Sequence, residues 1–128
     1  MSLRSPLGRV LGLGSAKGGS SHWYGQRVTA VALVLLGLWF LVSLASLDGA
    51  SLASVQGWLR SPVSSVLAIL FVAVAAYHAS LGLQVVVEDY VADKGLRFAV
   101  LLVIKFALVV AALVGILGVL RIAFGVEA

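Results

Sequence analysis

The segment from Ser61 to Val87 reads SPVSSVLAILFVAVAAYHASLGLQVVV, and none of its 27 residues carries a formal charge. An α-helix rises about 1.5 Å per residue, so about 20 apolar residues cross the roughly 30 Å hydrocarbon core of a bilayer. Residues 28–47 likewise contain no charged side chain, and residues 98–120 contain only Lys105. The alternating strands of a membrane β-barrel are absent, which leaves helices to satisfy the backbone in lipid. The sequence therefore predicts an all-α integral membrane protein with three transmembrane helices, at residues 28–47, 61–87 and 98–120.

The composition of the whole chain supports the same fold class. Of its 128 residues, 62% are hydrophobic and 11% are charged, against roughly 45–50% apolar and about 25% charged in soluble domains. A small soluble domain leaves a large share of its surface in water and could not hide this much apolar area. Disordered chains, in contrast, are poor in apolar residues. The chain has no cysteine, which excludes disulfides and thiolate ligands from it.

Lysine and arginine are distributed unequally between the two sides of the predicted membrane. Residues 1–27 and the loop between the second and third helices hold six of them, and the opposite side holds two. Because cytoplasmic segments carry an excess of these residues, we expect a cytoplasmic N-terminus and a C-terminus on the outer side. The nine cations form no basic stripe, which argues against nucleic acid as a partner despite the net charge of +4. The six are Arg4, Arg9, Lys17, Arg27, Lys94 and Arg97, and the two are Arg60 and Arg121.

Residues 1–27 are rich in glycine and serine and precede the first predicted helix. This segment is longer than the charged region of a normal secretory signal, and it lacks a convincing amphipathic transit pattern. We interpret it as a retained cytoplasmic tail with an interfacial segment, which favours a bacterial inner (plasma) membrane. Within it, Trp23 and Tyr24 fit aromatic anchors at the membrane interface. Arg27 fits either a lipid phosphate or an anionic cofactor group, such as a haem propionate, through its planar donors.

One histidine, His78, lies at membrane depth in the second predicted helix. It precedes Asp89 by 11 residues, which places it about 16 Å deeper along the helix axis and on the same helix face, together with Gly82. Three interpretations remain open at this point. The imidazole hydrogen-bonds a neighbouring helix, it ligates haem iron beside the flat surface left by Gly82, or it relays protons. Proton relays usually show several ionisable groups at depth.

Asp89 and Tyr90 end the second predicted helix, where it meets the cytoplasmic interface. They are either a solvated acid and an interfacial aromatic residue or part of a site for a lipid-soluble quinone. A quinone carbonyl needs a hydrogen-bond donor such as a tyrosine hydroxyl, and its reduction needs protons that a nearby acid could relay. The residues alone leave both interpretations open.

Lys105 is the only charged residue inside a predicted span. It lies one to two turns inside the third predicted helix, close enough for its ammonium to reach the interface along its own aliphatic stem. A buried functional lysine is the alternative.

Two segments carry a specific pattern of residues. The first, from Gly14 to Ala30, ends in HWYGQRVTA, and the second, from Tyr77 to Val91, reads YHASLGLQVVVEDYV. Together with the chain length, the three helices and the orientation, they resemble the hydrophobic membrane anchor of succinate dehydrogenase (complex II). The resemblance covers nearly the whole chain. Many relatives have two adjacent histidines before the tail aromatics, and here the first of those positions is Ser21. The role of that histidine is therefore not transferred to His22.

The resemblance implies a role for four residues of this chain. His78 would supply one axial ligand to the iron of haem b, and Arg27 would lie near the haem propionates. Tyr90 would hydrogen-bond a carbonyl of ubiquinone, with Asp89 beside it. None of the four would act on succinate, which is oxidised on other subunits.

The resemblance also implies partners. A second three-helix membrane anchor would supply the other haem ligand, and electrons would arrive from a flavoprotein subunit through an iron–sulfur subunit. The lipid bilayer surrounds the anchor. The alternatives are a haem-free structural or assembly subunit, or a small transporter component, in which the polar residues only hold helices together. A fumarate reductase anchor would share the same chemistry in reverse.

Overall fold

The computed structural model describes residues 19–49 and 51–126, and this part of the chain is helical with no strand. It contains four helices: α1 (Gly19–Ala45), α2 (Leu52–Arg60), α3 (Pro62–Tyr90) and α4 (Lys94–Ala123). Helices α1, α3 and α4 have 27, 29 and 30 residues and are apolar enough to cross a membrane. The predicted all-α class with three transmembrane helices is therefore confirmed. The orientation of the termini stays a prediction.

The long helices extend beyond the charge-free segments. Helix α1 begins at Gly19, nine residues before the first predicted span. Helix α4 begins at Lys94, capped by the carboxylate of Asp93, which accepts a hydrogen bond from the backbone N–H of Leu96 at 2.7 Å. Lys105 consequently lies about three turns inside α4, rather than the one to two turns expected from a start at residue 98. Residues 1–18, which include most of the predicted tail, lie outside the described part.

Helix α2 is a short helix between the first two spans that the sequence did not predict. Ser51 caps its start by accepting a hydrogen bond from the N–H of Ser54 at 3.1 Å, and Pro62 opens α3 directly after it. The helix is held by an aromatic cluster that joins α1, α2 and α3. Ring centroids lie 5.5 Å apart for Trp39 and Trp58 and 5.3 Å apart for Phe40 and Phe71. Each such pair contributes about 0.5–1.5 kcal/mol beyond burial.

Helix α3 lies in the middle of the molecule, packed against α1 on one side and α4 on the other. Glycine permits close approach at both contacts. A Cβ added to Gly25 of α1 would lie 3.3 Å from Leu81 of α3, and one added to Gly115 of α4 would lie 3.3 Å from Val72 of α3. Small residues at such points let membrane helices pack closely where lipid provides no hydrophobic drive.

Most of the apolar surface of these helices faces outward. Large side chains such as Leu41, Val103 and Phe106 are exposed, and only five hydrophobic residues of the described part are buried. A soluble protein would not leave such continuous apolar surface in water. The surface is suited to acyl chains and to the apolar faces of other membrane subunits.

Candidate functional site

A groove of about 850 Å³ runs between the first turns of α1 and the second half of α3. Because the two helices are antiparallel and pack side by side, residues one turn apart on each helix face the groove together. Its polar and small lining residues include His22, Gln26 and Arg27 from α1 and His78, Gly82 and Glu88 from α3. The groove contains His78, the histidine singled out from the sequence.

The ring of His78 is held by a hydrogen bond across the helix contact. Its Nδ1 lies 2.7 Å from the hydroxyl Oγ1 of Thr29 on α1. The same hydroxyl lies 2.6 Å from the carbonyl oxygen of Gly25 and 3.2 Å from that of Gln26, and Thr29 is buried. His78 thus makes the interhelical hydrogen bond of the first interpretation. That bond engages Nδ1, and His78 is among the residues that line the groove.

Gly82 lies one turn from His78 and forms part of the groove wall. The nearest atom to an added Cβ would be Nε2 of Gln26, at 3.5 Å, which is ordinary contact. The chain's own packing therefore does not require glycine here. What the glycine provides is space in the groove beside the imidazole.

Arg27 lines the groove and is exposed. Its guanidinium carbon lies 5.7 Å from the centroid of the Trp23 ring, a cation–π arrangement that orients the planar donors. Trp23 and Tyr24 are more than half exposed, as expected of residues at a membrane interface. The geometry leaves the guanidinium accessible both to a lipid phosphate and to an anionic group bound in the groove.

His22 is a groove residue that the sequence interpretation did not include as a site. Its Nε2 is buried and has no hydrogen-bond partner among the described residues, which is unusual because buried polar atoms are normally paired. The omission came from Ser21, which breaks the histidine pair of the relatives, and from starting the first span after Arg27. The signal that would have found it is the spacing of His22, Gln26 and Thr29 at helical intervals, which continues α1 toward the N-terminus.

Asp89 and Tyr90 lie at the end of α3, away from the groove lining. Tyr90 is 85% exposed and Asp89 is also exposed. Tyr90 follows His78 by 12 residues, about 18 Å along the axis. Glu88, which precedes Asp89, lines the groove. Its carboxylate accepts a hydrogen bond of 2.9 Å from Nε2 of Gln84. The structure thus brings His78, Gly82 and Arg27 together at one groove, and it places the predicted quinone residues separately at the end of α3.

Lys105 lies in a second groove, of about 510 Å³, between α3 and α4. Tyr77, Ser80 and Gln84 also line this groove. The lysine is exposed, and whether its ammonium reaches the interface or serves a function at depth stays a prediction.

The described residues contain no group of three or more histidine, aspartate or glutamate side chains that could hold a metal ion alone. Iron in a porphyrin needs only axial ligands from protein, and a single imidazole per chain is compatible with that requirement.

Residues 1–112 match the family described as succinate dehydrogenase/fumarate reductase transmembrane subunit. The chain belongs to this family. The resemblance inferred from its two segments is confirmed, and the protein is a multi-pass membrane anchor subunit that works with other subunits of its complex and with the lipid bilayer.

Individual relatives bear the name succinate dehydrogenase hydrophobic membrane anchor subunit. The anchor of Rickettsia bellii is 35% identical over 102 residues, which cover 80% of this chain and 82% of the relative. That of Rickettsia conorii is 34% identical over 98 residues, or 76% and 78% of the two chains. That of Paracoccus denitrificans is 31% identical over 86 residues, or 67% of each. The similarity thus covers most of this chain and most of each relative.

Proposed function

We propose that this chain is the membrane anchor of a bacterial succinate:ubiquinone oxidoreductase, contributing half of a haem b site and part of the quinone site. The observation that carries the proposal is the position of His78 in the groove between α1 and α3, with its Nδ1 engaged by Thr29. The bacterial origin of the similar anchors supports an inner-membrane location.

The groove residues fit the chemistry of a haem. His78 offers a nitrogen ligand, Gly82 leaves space beside it for a flat ring, and Arg27 offers the planar donors that pair with carboxylates. His22 also lines this groove, and its buried Nε2 has no hydrogen-bond partner among the described residues. An apolar wall with a few convergent polar groups is typical of cofactor sites.

The second anchor completes the site. The groove is open and this chain has one histidine at the predicted membrane depth, so a second anchor would cover the groove and supply the other haem ligand. The exposed apolar sides of α1 and α3 give such a chain a surface on which to pack. When bound in this groove, haem b would supply a one-electron redox centre.

Tyr90 and Asp89 are the residues of this chain assigned to the quinone. The hydroxyl of Tyr90 is exposed at the last residue of α3, where it can donate a hydrogen bond to a quinone carbonyl at the interface. Asp89 is exposed to the same aqueous side and can accept and pass on a proton. This end of the molecule also carries Lys94 and Arg97, so the positive-inside rule places it on the cytoplasmic side. There the iron–sulfur and flavoprotein subunits would dock.

A reduced-minus-oxidised absorption spectrum of the purified complex tests the haem assignment. The unmodified complex should give a b-type difference spectrum, and His78→Ala should abolish it or strongly reduce it. Added imidazole should restore part of the signal in His78→Ala, because the truncation leaves a space of imidazole size beside Thr29. An unchanged spectrum in His78→Ala would refute the ligand assignment.

A haem-free structural or assembly subunit, or a small transporter component, is the rival function. The observation that favours it is the Thr29–His78 hydrogen bond, because such bonds stabilise membrane helix packing by about 0.6 kcal/mol on average. Absence of any b-type spectrum from the unmodified complex would favour this rival. The family includes fumarate reductases, and the direction of the reaction depends on cofactor potentials in other subunits.

A further inference from the structure

The hydroxyl of Thr29 has one hydrogen and three close polar neighbours. The carbonyl oxygen of Gly25 lies 2.6 Å from Oγ1, a distance that two oxygen atoms reach only with a hydrogen between them. A carbonyl carries no hydrogen. The hydroxyl hydrogen of Thr29 is therefore directed to the carbonyl of Gly25.

The contact with His78 requires a second hydrogen. Oγ1 of Thr29 and Nδ1 of His78 are 2.7 Å apart, and the hydroxyl hydrogen is already committed. The hydrogen between them must belong to the ring, so Nδ1–H donates to Oγ1. In a neutral imidazole the other nitrogen then carries a lone pair and no hydrogen.

The neighbouring backbone holds this arrangement in place. Thr29 is buried and β-branched, so its side chain has few rotamers in a helix, and bonding to the carbonyl one turn earlier selects among them. Gly25, whose carbonyl accepts the hydrogen, is also the residue whose missing Cβ lets α1 approach Leu81 of α3. The same turn of α1 therefore sets both the distance between the helices and the direction of the hydroxyl.

We propose that Thr29 is a positioning residue that fixes the Nδ1–H tautomer of His78 and thereby tunes how strongly its Nε2 binds ferric relative to ferrous haem. The proposal rests on the function proposed above. A ring N–H that donates to an acceptor makes the opposite nitrogen a stronger electron donor, which favours the more highly charged ferric iron. Loss of such an outer partner typically costs 10–100-fold in metal affinity.

The first test compares Thr29→Val with Thr29→Ser in the purified complex. Valine keeps the shape of threonine and removes the acceptor, whereas serine keeps the hydroxyl. We expect Thr29→Val to retain a b-type spectrum but to lose about tenfold in ferric over ferrous affinity. A tenfold change in that ratio raises the one-electron midpoint potential by about 59 mV. Thr29→Ser should keep the potential close to that of the unmodified complex.

The second test reads the tautomer without haem. The chain has two histidines, so His22→Gln leaves one imidazole to observe by ¹⁵N NMR in the full chain, labelled with ¹⁵N-histidine and placed in lipid vesicles. We expect a protonated Nδ1 and an unprotonated Nε2 at neutral pH. Adding Thr29→Val should mix the two tautomers, and adding Thr29→Ser should not.

The outcomes separate this inference from the proposed function. A midpoint potential unchanged in Thr29→Val, or a protonated Nε2 in the chain with threonine, would overturn the role of Thr29. Either result would leave the ligand role of His78 intact, provided that His78→Ala still removes the b-type spectrum. A potential that rises equally in Thr29→Val and Thr29→Ser would also overturn it, since the hydroxyl would then not be the cause.

Discussion

Gly25 of α1 lies so close to Leu81 of α3 that a Cβ built on the glycine would sit 3.3 Å from the leucine Cδ1. A Cβ there would be closer to the leucine than ordinary packing allows, and Gly25 lies one turn from Thr29, whose hydroxyl bridges α1 to His78. The spacing of α1 and α3 at this point therefore determines whether Thr29 and the imidazole remain within hydrogen-bond distance.

We expect Gly25→Val to push α1 away from α3 and to loosen the haem site. Overpacking of a tight contact typically costs about 1–3 kcal/mol, so the complex should unfold at a lower temperature and lose haem on purification. The measurements are a thermal melt and the ratio of haem to protein. Gly37→Val is the matched control on the same helix, because a Cβ at Gly37 meets nothing within 4 Å. Equal effects of the two substitutions would contradict the prediction.

Gly82→Leu should fill the groove beside His78 without disturbing the helix contact. The nearest atom to a Cβ at this position is Nε2 of Gln26, 3.5 Å away at the end of a flexible side chain. The subunit should therefore assemble, but the complex should contain little haem by its difference spectrum. Gly118→Leu on α4, where a Cβ meets nothing within 4 Å, should retain haem. Full haem content in Gly82→Leu would count against the groove as the site.

Tyr90→Phe should slow ubiquinone reduction while sparing succinate oxidation with an artificial acceptor. A hydrogen bond of about 0.5–1.5 kcal/mol corresponds to a loss of roughly 2–10-fold in rate. Tyr24→Phe is the control, because Tyr24 is also an exposed interfacial tyrosine but lies on α1. If both activities fell together in Tyr90→Phe, a specific quinone role would be untenable.

Arg27→Gln tests the choice between a lipid phosphate and a haem propionate. If the guanidinium pairs with a propionate, removal of the charge should weaken haem binding about 10–100-fold, as expected for a charge-assisted bond of about 1.5–3 kcal/mol. The haem content after dilution or detergent washing measures this loss. Arg60→Gln removes an exposed arginine from the opposite end of the molecule and should have no such effect. Retention of haem in Arg27→Gln would favour the lipid interpretation.

The orientation of the chain is open to a direct test because the sequence has no cysteine. Gly57→Cys on α2 and Lys94→Cys at the start of α4 place single thiols at exposed positions on opposite sides of the predicted membrane. With a membrane-impermeant thiol reagent and the outer face accessible, Gly57→Cys should react at once. Lys94→Cys should react only after the membrane is permeabilised. The reverse pattern would invert the predicted topology.

The membrane helices could be predicted because each leaves a long apolar segment with at most one charged residue in the sequence. Their ends were less predictable. Arg27 set the start of the first predicted span, although α1 already begins at Gly19, since a helix in the interface tolerates a charge that the hydrocarbon core does not. Helix α2 was missed because the helices were located from long segments nearly free of charge, and nine residues are too few to form one. Its packing also depends on distant aromatic partners such as Trp39 and Phe71.

The candidate site divides in a similar way. His78 stood out from the sequence because an ionisable side chain at membrane depth is costly and therefore rare. Thr29 and His22 carried no such signal, because a threonine in a helix and a histidine near the interface are both ordinary residues. Their importance depends on what lies across from them on α3.

The sequence alone was thus enough to predict that the chain lies in lipid, how many helices span it and which imidazole lies at depth. The reason is that the free-energy cost of transferring a side chain into lipid is set mainly by the type of that residue. Only the tertiary structure decided that Thr29 meets His78, that Arg27 and Gly82 border the same groove, and that Tyr90 lies outside it. Those relationships depend on the register between antiparallel helices, and that register is set by contacts such as Gly25 with Leu81, between residues far apart in the chain.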